Sequence, residues 1–153
     1  MTADLLIKAE EGLRLTPYRC SENKLTIGYG YNIEAYPLPA PVAAYLKEHG
    51  MITKEMADAL FDSKYQESVK AAKDIFLTSW PMLGEVRQAV VISMIYQMGE
   101  VGFKKFINTI KYIKLLNWIH AAYNMLQSKW EDQTESRAHR HALMMATGQW
   151  LLP

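Results

Sequence analysis

The chain has 153 residues, half of them hydrophobic and 22% charged, with 17 basic against 16 acidic side chains. That is one domain's worth of ordinary globular composition, able to bury roughly two-thirds of its unfolded surface, so a disordered chain and a need for metal or disulfide staples are excluded. One cysteine forbids an intramolecular disulfide and a CxxC-type zinc site, a net charge of +1 is no nucleic-acid footprint, and no stretch reaches the ~18 apolar residues of a membrane span.

Residues 1–76 carry nine basic and eleven acidic side chains, and residues 77–153 carry eight and five. This mild polarity would help a C-terminal lobe sit on an anionic polymer, although ordinary surface variation produces it as well. At the N-terminus Asp4, Lys8, Glu10 and Glu11 interrupt any apolar segment, so no secretory signal is read there and the chain is expected to be made and kept in the cytoplasm.

In chain order, residues 3–11 place Leu5, Leu6 and Ala9 on one helical face, and Gly12 is a good left-handed cap. A short helix ending near Glu11 is predicted. Residues 13–33 alternate Leu15, Tyr18, Leu25, Ile27, Tyr29 and Tyr31 around the turn residues Ser21-Glu22-Asn23, which predicts a small irregular hairpin or three-stranded sheet. Residues 35–50, with Pro37, Pro39 and Pro41, read as a surface loop with one helical turn. Thr53 is a fair N-cap for a long helix to about Ile75, and LTSWPMLG at 77–84 breaks it. Glu85 to Met98 is nearly all apolar and is expected to form the central buried helix. Short helices are predicted around Phe103–Phe106, Asn108–Leu115 and Asn117–Ser128, and a last one over Glu135–Thr147, entered from Thr134 and stopped by Gly148. The class is α+β: a β-containing N-terminal lobe over about 13–60, a helical lobe over about 1–12 and 76–153, and a bridging helix over about 53–75.

One constellation can carry chemistry. Glu11, at a helix C-terminus, is followed after eight residues by Cys20, after five more by Thr26, and then by Ile27-Gly28-Tyr29-Gly30. A helix end followed by a hairpin can bring three such side chains to one wall. The negative end of a helix disfavours an ionised carboxylate, and partial burial pushes the same way. A protonated glutamic acid is what glycosidic cleavage needs, because the leaving oxygen must receive a proton. Thr26 can then hold a water by its hydroxyl, and Cys20 can orient that water or, as a thiolate, help to deprotonate it. Each residue alone has a plainer reading: a solvated glutamate, a small buried thiol, a threonine placed for strand propensity.

The segment Ile7–Ile33, IKAEEGLRLTPYRCSENKLTIGYGYNI, closely resembles the active-site stretch of phage-type lysozymes and endolysins, whose pattern is Glu, eight residues, Asp or Cys, five residues, Thr, within Thr-Ile-Gly-x-Gly. The resemblance continues through ITKEMADALF (52–61), RQAVVISMIYQMGEVGFKKFINT (87–109) and SKWEDQTESRAHR (128–140), and it is nearer to the T-even phage branch than to other endolysins. It implies a lysozyme-like α+β fold and a peptidoglycan muramidase, which hydrolyses the β-1,4 bond between N-acetylmuramic acid and N-acetylglucosamine. Glu11 would be the general acid, and Cys20 with Thr26 would position the attacking water, with inversion at the anomeric carbon. Arg137 matches an arginine near the catalytic glutamate. Asn32, Tyr96, Gln97, Gly99, Thr109 and Asn124 match positions that line the saccharide cleft, although helix packing explains Tyr96 and Thr109 equally well. Tyr31 and Lys64 stand where the T-even branch has a buried histidine–aspartate pair, which leaves no orphan charge provided Lys64 reaches solvent.

The resemblance further implies a monomer that acts on glycan strands without cofactor, metal, nucleic acid or membrane anchor. It would wait in the host cytoplasm and reach the periplasm and wall once a separate holin-type membrane protein opens the way. Three rivals compete with this reading: a non-catalytic wall-binding module, a lytic transglycosylase, and membrane disruption by residues 104–120, where four lysines lie among apolar residues at helical spacing.

Overall fold

The computed structural model describes all residues, Met1–Pro153, and the chain divides into two compact units. One is Glu11–Gln66; the other comprises Met1–Glu10 and Glu67–Pro153.

The smaller unit is built on a three-stranded antiparallel sheet in the order β1 (Arg14–Arg19), β2 (Leu25–Gly28), β3 (Tyr31–Asn32). Tyr18 pairs with Thr26, and Thr26 in turn with Asn32, while the register shifts between Arg14 and Tyr18. The bulge lets so short a sheet bend sharply. Ile27, Tyr29 and Tyr31 are buried with Ile52, Ala57, Leu60 and Phe61, and the Tyr29 ring meets Phe61 edge-on at 5.6 Å. Numbering helices along the whole chain, with α1 at Ala3–Glu11, the proline-rich stretch forms α2, Ala40–His49, a full helix where a loop with one turn was expected. The prolines are its start signal. Pro39 is the N-cap and Pro41 lies in the first turn, where backbone N–H groups have no helical partner to lose. Gly50, at φ 72°, ends it. No α2 residue is buried, so the amphipathic period that marks a core helix is absent from its sequence.

Thr53 accepts a hydrogen bond from the Met56 N–H at 3.1 Å and opens α3, Lys54–Phe76, within which the chain passes from one unit to the other. The expected solvent exit for Lys64 is not found. Its side chain is largely buried, its ammonium donates to the Gly30 carbonyl at 3.3 Å, and it lies 5.7 Å from the centroid of the Tyr36 ring. A carbonyl and an aromatic face thus serve the cation where solvent was expected to.

The larger unit is helical. A 3₁₀ segment, Leu77–Leu83, follows α3, and α4, Gly84–Lys104, supplies the core residues Val90, Val91, Met94 and Ile95. Gly99, at φ 78° and ψ 165°, is non-helical and breaks α4 after Met98, where the sequence ends the central helix; a short helical piece follows and stops at Lys104, slightly before the expected 103–106. α5 (Ile107–Lys114) and α6 (Trp118–Met125) are parted by Leu116 at φ 57°. The segment 104–120 is therefore not the single amphipathic helix that membrane disruption called for. The stretch expected as one helix over 117–128 ends at Met125, and a five-residue helix, α7 (Lys129–Gln133), follows it, too short to show a period. α8, Glu135–Thr147, stops at Gly148 with φ 68°, as its sequence predicts. Arg87 on α4 donates to the Met145 carbonyl at 2.7 Å and lies over the Trp118 ring at 4.1 Å, which ties the end of α8 to α4 and α6.

Candidate functional site

Glu11 is the last residue of α1, and Gly12 turns the chain out of the helix at φ 68°. The Glu11 carboxyl lies directly on the turn between β2 and β3. A Cβ built on Gly30 would overlap Glu11 Oε2 and sit 2.8 Å from its Cδ. Gly30 has φ 63°, so both its backbone conformation and the approach of the carboxyl require glycine. The Gly30 carbonyl is the one that receives the Lys64 ammonium. One glycine thus meets the carboxyl of Glu11 and the cation of Lys64.

Cys20 and Thr26 are brought together by a single acceptor. The Cys20 N–H donates to the Lys24 carbonyl at 3.0 Å, and the Thr26 hydroxyl donates to the same oxygen at 2.8 Å. Thr26 is 3% exposed and Cys20 is half-buried. With its proton committed to Lys24, the Thr26 hydroxyl can only accept from a further partner. Asn32 pairs with Thr26 across the sheet, but its Oδ1 is occupied by the Glu34 and Ala35 N–H groups at 2.9 and 3.1 Å. It shapes the turn, which leaves its amide N–H₂ as the end with donor capacity.

Tyr18 is a residue that sequence reasoning passed over. Burial raises its phenol, nearby Glu11 and Cys20 push the same way, and the Arg14 guanidinium, 4.5 Å from the ring centroid, opposes them. Tyr18 therefore feels both Glu11 and Cys20. The available signal was the two-residue step from Tyr18 to Cys20, which puts both on one side of an extended chain.

The larger unit holds a second polar cluster, built around Glu10. Its side chain is 1% exposed. Arg137 Nε lies 3.0 Å from Oε2, Arg140 Nη2 3.2 Å from Oε1, and the His141 Nε2 2.7 Å from Oε1. The Ser93 hydroxyl donates to Oε2 at 2.9 Å and accepts from Arg137 Nη2 at 2.8 Å. Burial alone would raise the Glu10 carboxyl, but His141, Arg137 and Ser93 together outweigh it and lower it to about 2. His141 is fully buried, its Nδ1 has no partner, and its Nε2 lies against Glu10 Oε1. Burial pushes its pKa down, against the pull of Glu10, while Arg137 and Arg140 add to the fall.

Of the site residues expected in this unit, Arg137 is therefore a ligand of Glu10. Gln97 accepts from the Trp130 indole N–H at 2.9 Å, and Asn124 donates to the His120 carbonyl at 2.8 Å. Tyr96 and Thr109 are 1% and 2% exposed and belong to the core. Gly99 is the α4 kink. For a metal, Glu131, Glu135 and His139 bring ligand atoms within 4.8 Å of one another at the surface, and His139 Nε2 already lies 2.9 Å from Glu131 Oε1.

A family model described as "Phage lysozyme" matches residues 8–142. Two proteins of Dictyostelium discoideum, "Probable T4-type lysozyme 1" and "Probable T4-type lysozyme 2", are 27% and 26% identical over 94% of this chain and 92% of theirs. The "Pre-baseplate central spike protein Gp5" of Enterobacteria phage T4 is 29% identical over the same share of this chain, which corresponds to 27% of that longer protein.

Proposed function

The chain belongs to the phage lysozyme family, and from that membership we propose that it hydrolyses the β-1,4 bond between N-acetylmuramic acid and N-acetylglucosamine in peptidoglycan. The observation that carries the reading is the Glu11 carboxyl seated on the Gly30 turn, in the unit that also links Cys20 and Thr26 through Lys24.

Glu11 delivers its proton to the glycosidic oxygen as the bond to the anomeric carbon breaks. A water attacks that carbon from the opposite face, which inverts the centre. Its hydrogens point to acceptors: the Thr26 hydroxyl, whose own proton is held by Lys24, and the Cys20 sulfur. Two acceptors on the hydrogens leave a lone pair aimed at the sugar. The water's proton passes to the Cys20 sulfur if that group is a thiolate and to solvent if it is a thiol. Within the sheet unit Asn32 contacts N-acetyl and hydroxyl groups of the glycan through its amide N–H₂; in the helical unit Gln97 and Asn124 are suited to the same groups, and Arg137 holds Glu10. Tyr96 and Thr109, being core residues, are left out of the contact set.

No helix is long and apolar enough to cross a membrane. Access to the wall is proposed to depend on a separate holin-type membrane protein, with the enzyme acting as a monomer. The test is reducing-end analysis of digested peptidoglycan. Wild-type protein is expected to release hydrolysed ends of inverted configuration, Glu11→Gln almost none, and Cys20→Ala a reduced amount of the same product. Ends lighter by one water would make the enzyme a transglycosylase. Undiminished cleavage by Glu11→Gln would remove the assignment of the acid.

A further inference from the structure

From Val101 to Trp130 the chain contains Lys104, Lys105, Lys111, Lys114 and Lys129 and no aspartate or glutamate. The same stretch exposes Val101, Ile107, Leu115, Ile119 and Tyr123, each between 62% and 75%. Single exposed apolar side chains need no explanation, but five of this size among lysines with no acidic residue in the stretch do.

Their spacing is ordered. Ile107 and Lys111 lie four apart on α5 and Leu115, its C-cap, follows at the same step, with Lys114 beside them, while Thr109 and Ile113 bury the opposite face. On α6, Ile119 and Tyr123 are four apart and exposed, while Ala121, Ala122 and Met125 are buried. The rings of Tyr112 and His120, 5.2 Å apart, and the bond from the Asn117 N–H to the Tyr112 carbonyl at 2.8 Å, hold the two helices together. Lys104 is engaged by Glu100 at 2.9 Å, but no acidic side chain is paired with Lys111 or Lys114.

We propose that the outward faces of α5 and α6 dock on an anionic lipid bilayer. Both helices are eight residues long, far too short to span one, so they lie along the interface. The aliphatic tips and the Tyr123 ring enter the acyl boundary, and the lysines reach the headgroup phosphates. A nucleic acid would offer the lysines partners but leave the aliphatic tips in water, whereas an anionic bilayer satisfies both. The outcome is a peripheral, salt-sensitive hold that keeps the hydrolase at a membrane surface.

The test is sedimentation of the full-length protein with vesicles. Wild type is expected to co-sediment with equimolar phosphatidylglycerol–phosphatidylcholine vesicles, to stay in solution with phosphatidylcholine alone, and to be released by added salt. Lys111→Glu with Lys114→Glu should weaken partition by about thirtyfold or more, from roughly fivefold per lysine. Ile119→Ser with Tyr123→Ser should weaken it by about tenfold or more. All four positions are exposed, so both variants should melt as wild type does and keep their hydrolysis of isolated peptidoglycan. Equal sedimentation with neutral vesicles, none with anionic ones, or wild-type partition by either variant would overturn the proposal, the second result pointing to an acidic protein surface instead. Loss through the lysine variant alone would reduce the effect to charge adsorption and overturn it equally. Because no arm depends on glycan cleavage, failure here is separable from failure of the hydrolase reading.

Discussion

Glu10 and Glu11 are neighbours in sequence and belong to different regions with different physics. In the helical unit, Glu10 is sealed away from solvent and held by two arginines, a histidine and a serine. In the sheet unit, Glu11 is half-buried and rests against the one kind of residue that leaves room for it, a glycine. The first carboxylate is committed to the fold, because without it two guanidinium groups and a buried imidazole lose their shared acceptor. The second is the one proposed to meet the substrate oxygen. Identical side chains acquire opposite duties from their surroundings, and substitution should separate them.

The largest expected effects are paired. Glu11→Gln keeps shape and removes the transferable proton, so lysis of peptidoglycan suspensions should fall about a hundredfold or more while the denaturant midpoint stays near wild type. Glu10→Ala should do the reverse, costing about 3–5 kcal/mol in urea unfolding, because it strands Arg137, Arg140 and His141 without their shared partner. If Glu10→Ala proves harmless to stability, the division of labour fails.

Acid sharpens the same contrast. The groups facing His141 are Glu10 from α1 and Arg137 and Arg140 from α8, with Ser93 and the Trp130 ring completing the cluster. Its folded pKa lies below the ordinary 6.5, so below about that pH the unfolded chain takes up a proton that the folded chain refuses, and stability falls. Glu10 adds a second loss. Its contribution is full above the ordinary 4.5 and disappears as pH drops toward about 2. Urea midpoints of wild type should therefore decline from near pH 6.5 downward in two stages. His141→Gln should flatten the upper stage and leave the lower one. An unchanged upper stage in that variant would show that the histidine is not its source.

Which parts were legible beforehand follows from range. Gly12, Thr53 and Gly148 act within a few residues of where they stand, and the structure uses each as a cap or stop. The spacing of Glu11, Cys20 and Thr26 was visible because a helix end and a hairpin are local objects. Glu10 was invisible because its partners lie on α4 and α8, Ser93 being 83 and His141 131 residues away. A buried ionic cluster leaves no period or motif; in sequence it is only one more acidic residue on a short helix. Lys64 shows the same limit from the other side. Solvent seemed the natural outlet for a lone cation, yet a carbonyl and a tyrosine face supply one, and both come from the β2–β3 turn and the segment after it. The proline cluster before α2 misled for a different reason. Proline marks a helix start as readily as a loop, and the choice depends on the residues that follow it.

Gly30→Ala is the smaller and finer probe. A methyl group there costs about 1 kcal/mol for the left-handed backbone at φ 63°, a modest loss against that expected of Glu10→Ala. The same methyl occupies the place of the Glu11 carboxyl, which must swing away. Activity should therefore fall by about tenfold or more, out of proportion to the loss of stability. The control is Gly50→Ala. It also carries a left-handed φ, of 72°, but a Cβ there meets nothing within 4 Å. The two variants share the backbone penalty and differ in the collision, so the ratio of their turnover rates at matched folded fraction isolates the positioning of the acid. Equal rates would mean that the carboxyl reaches its substrate from elsewhere, and the seat on Gly30 would lose its meaning.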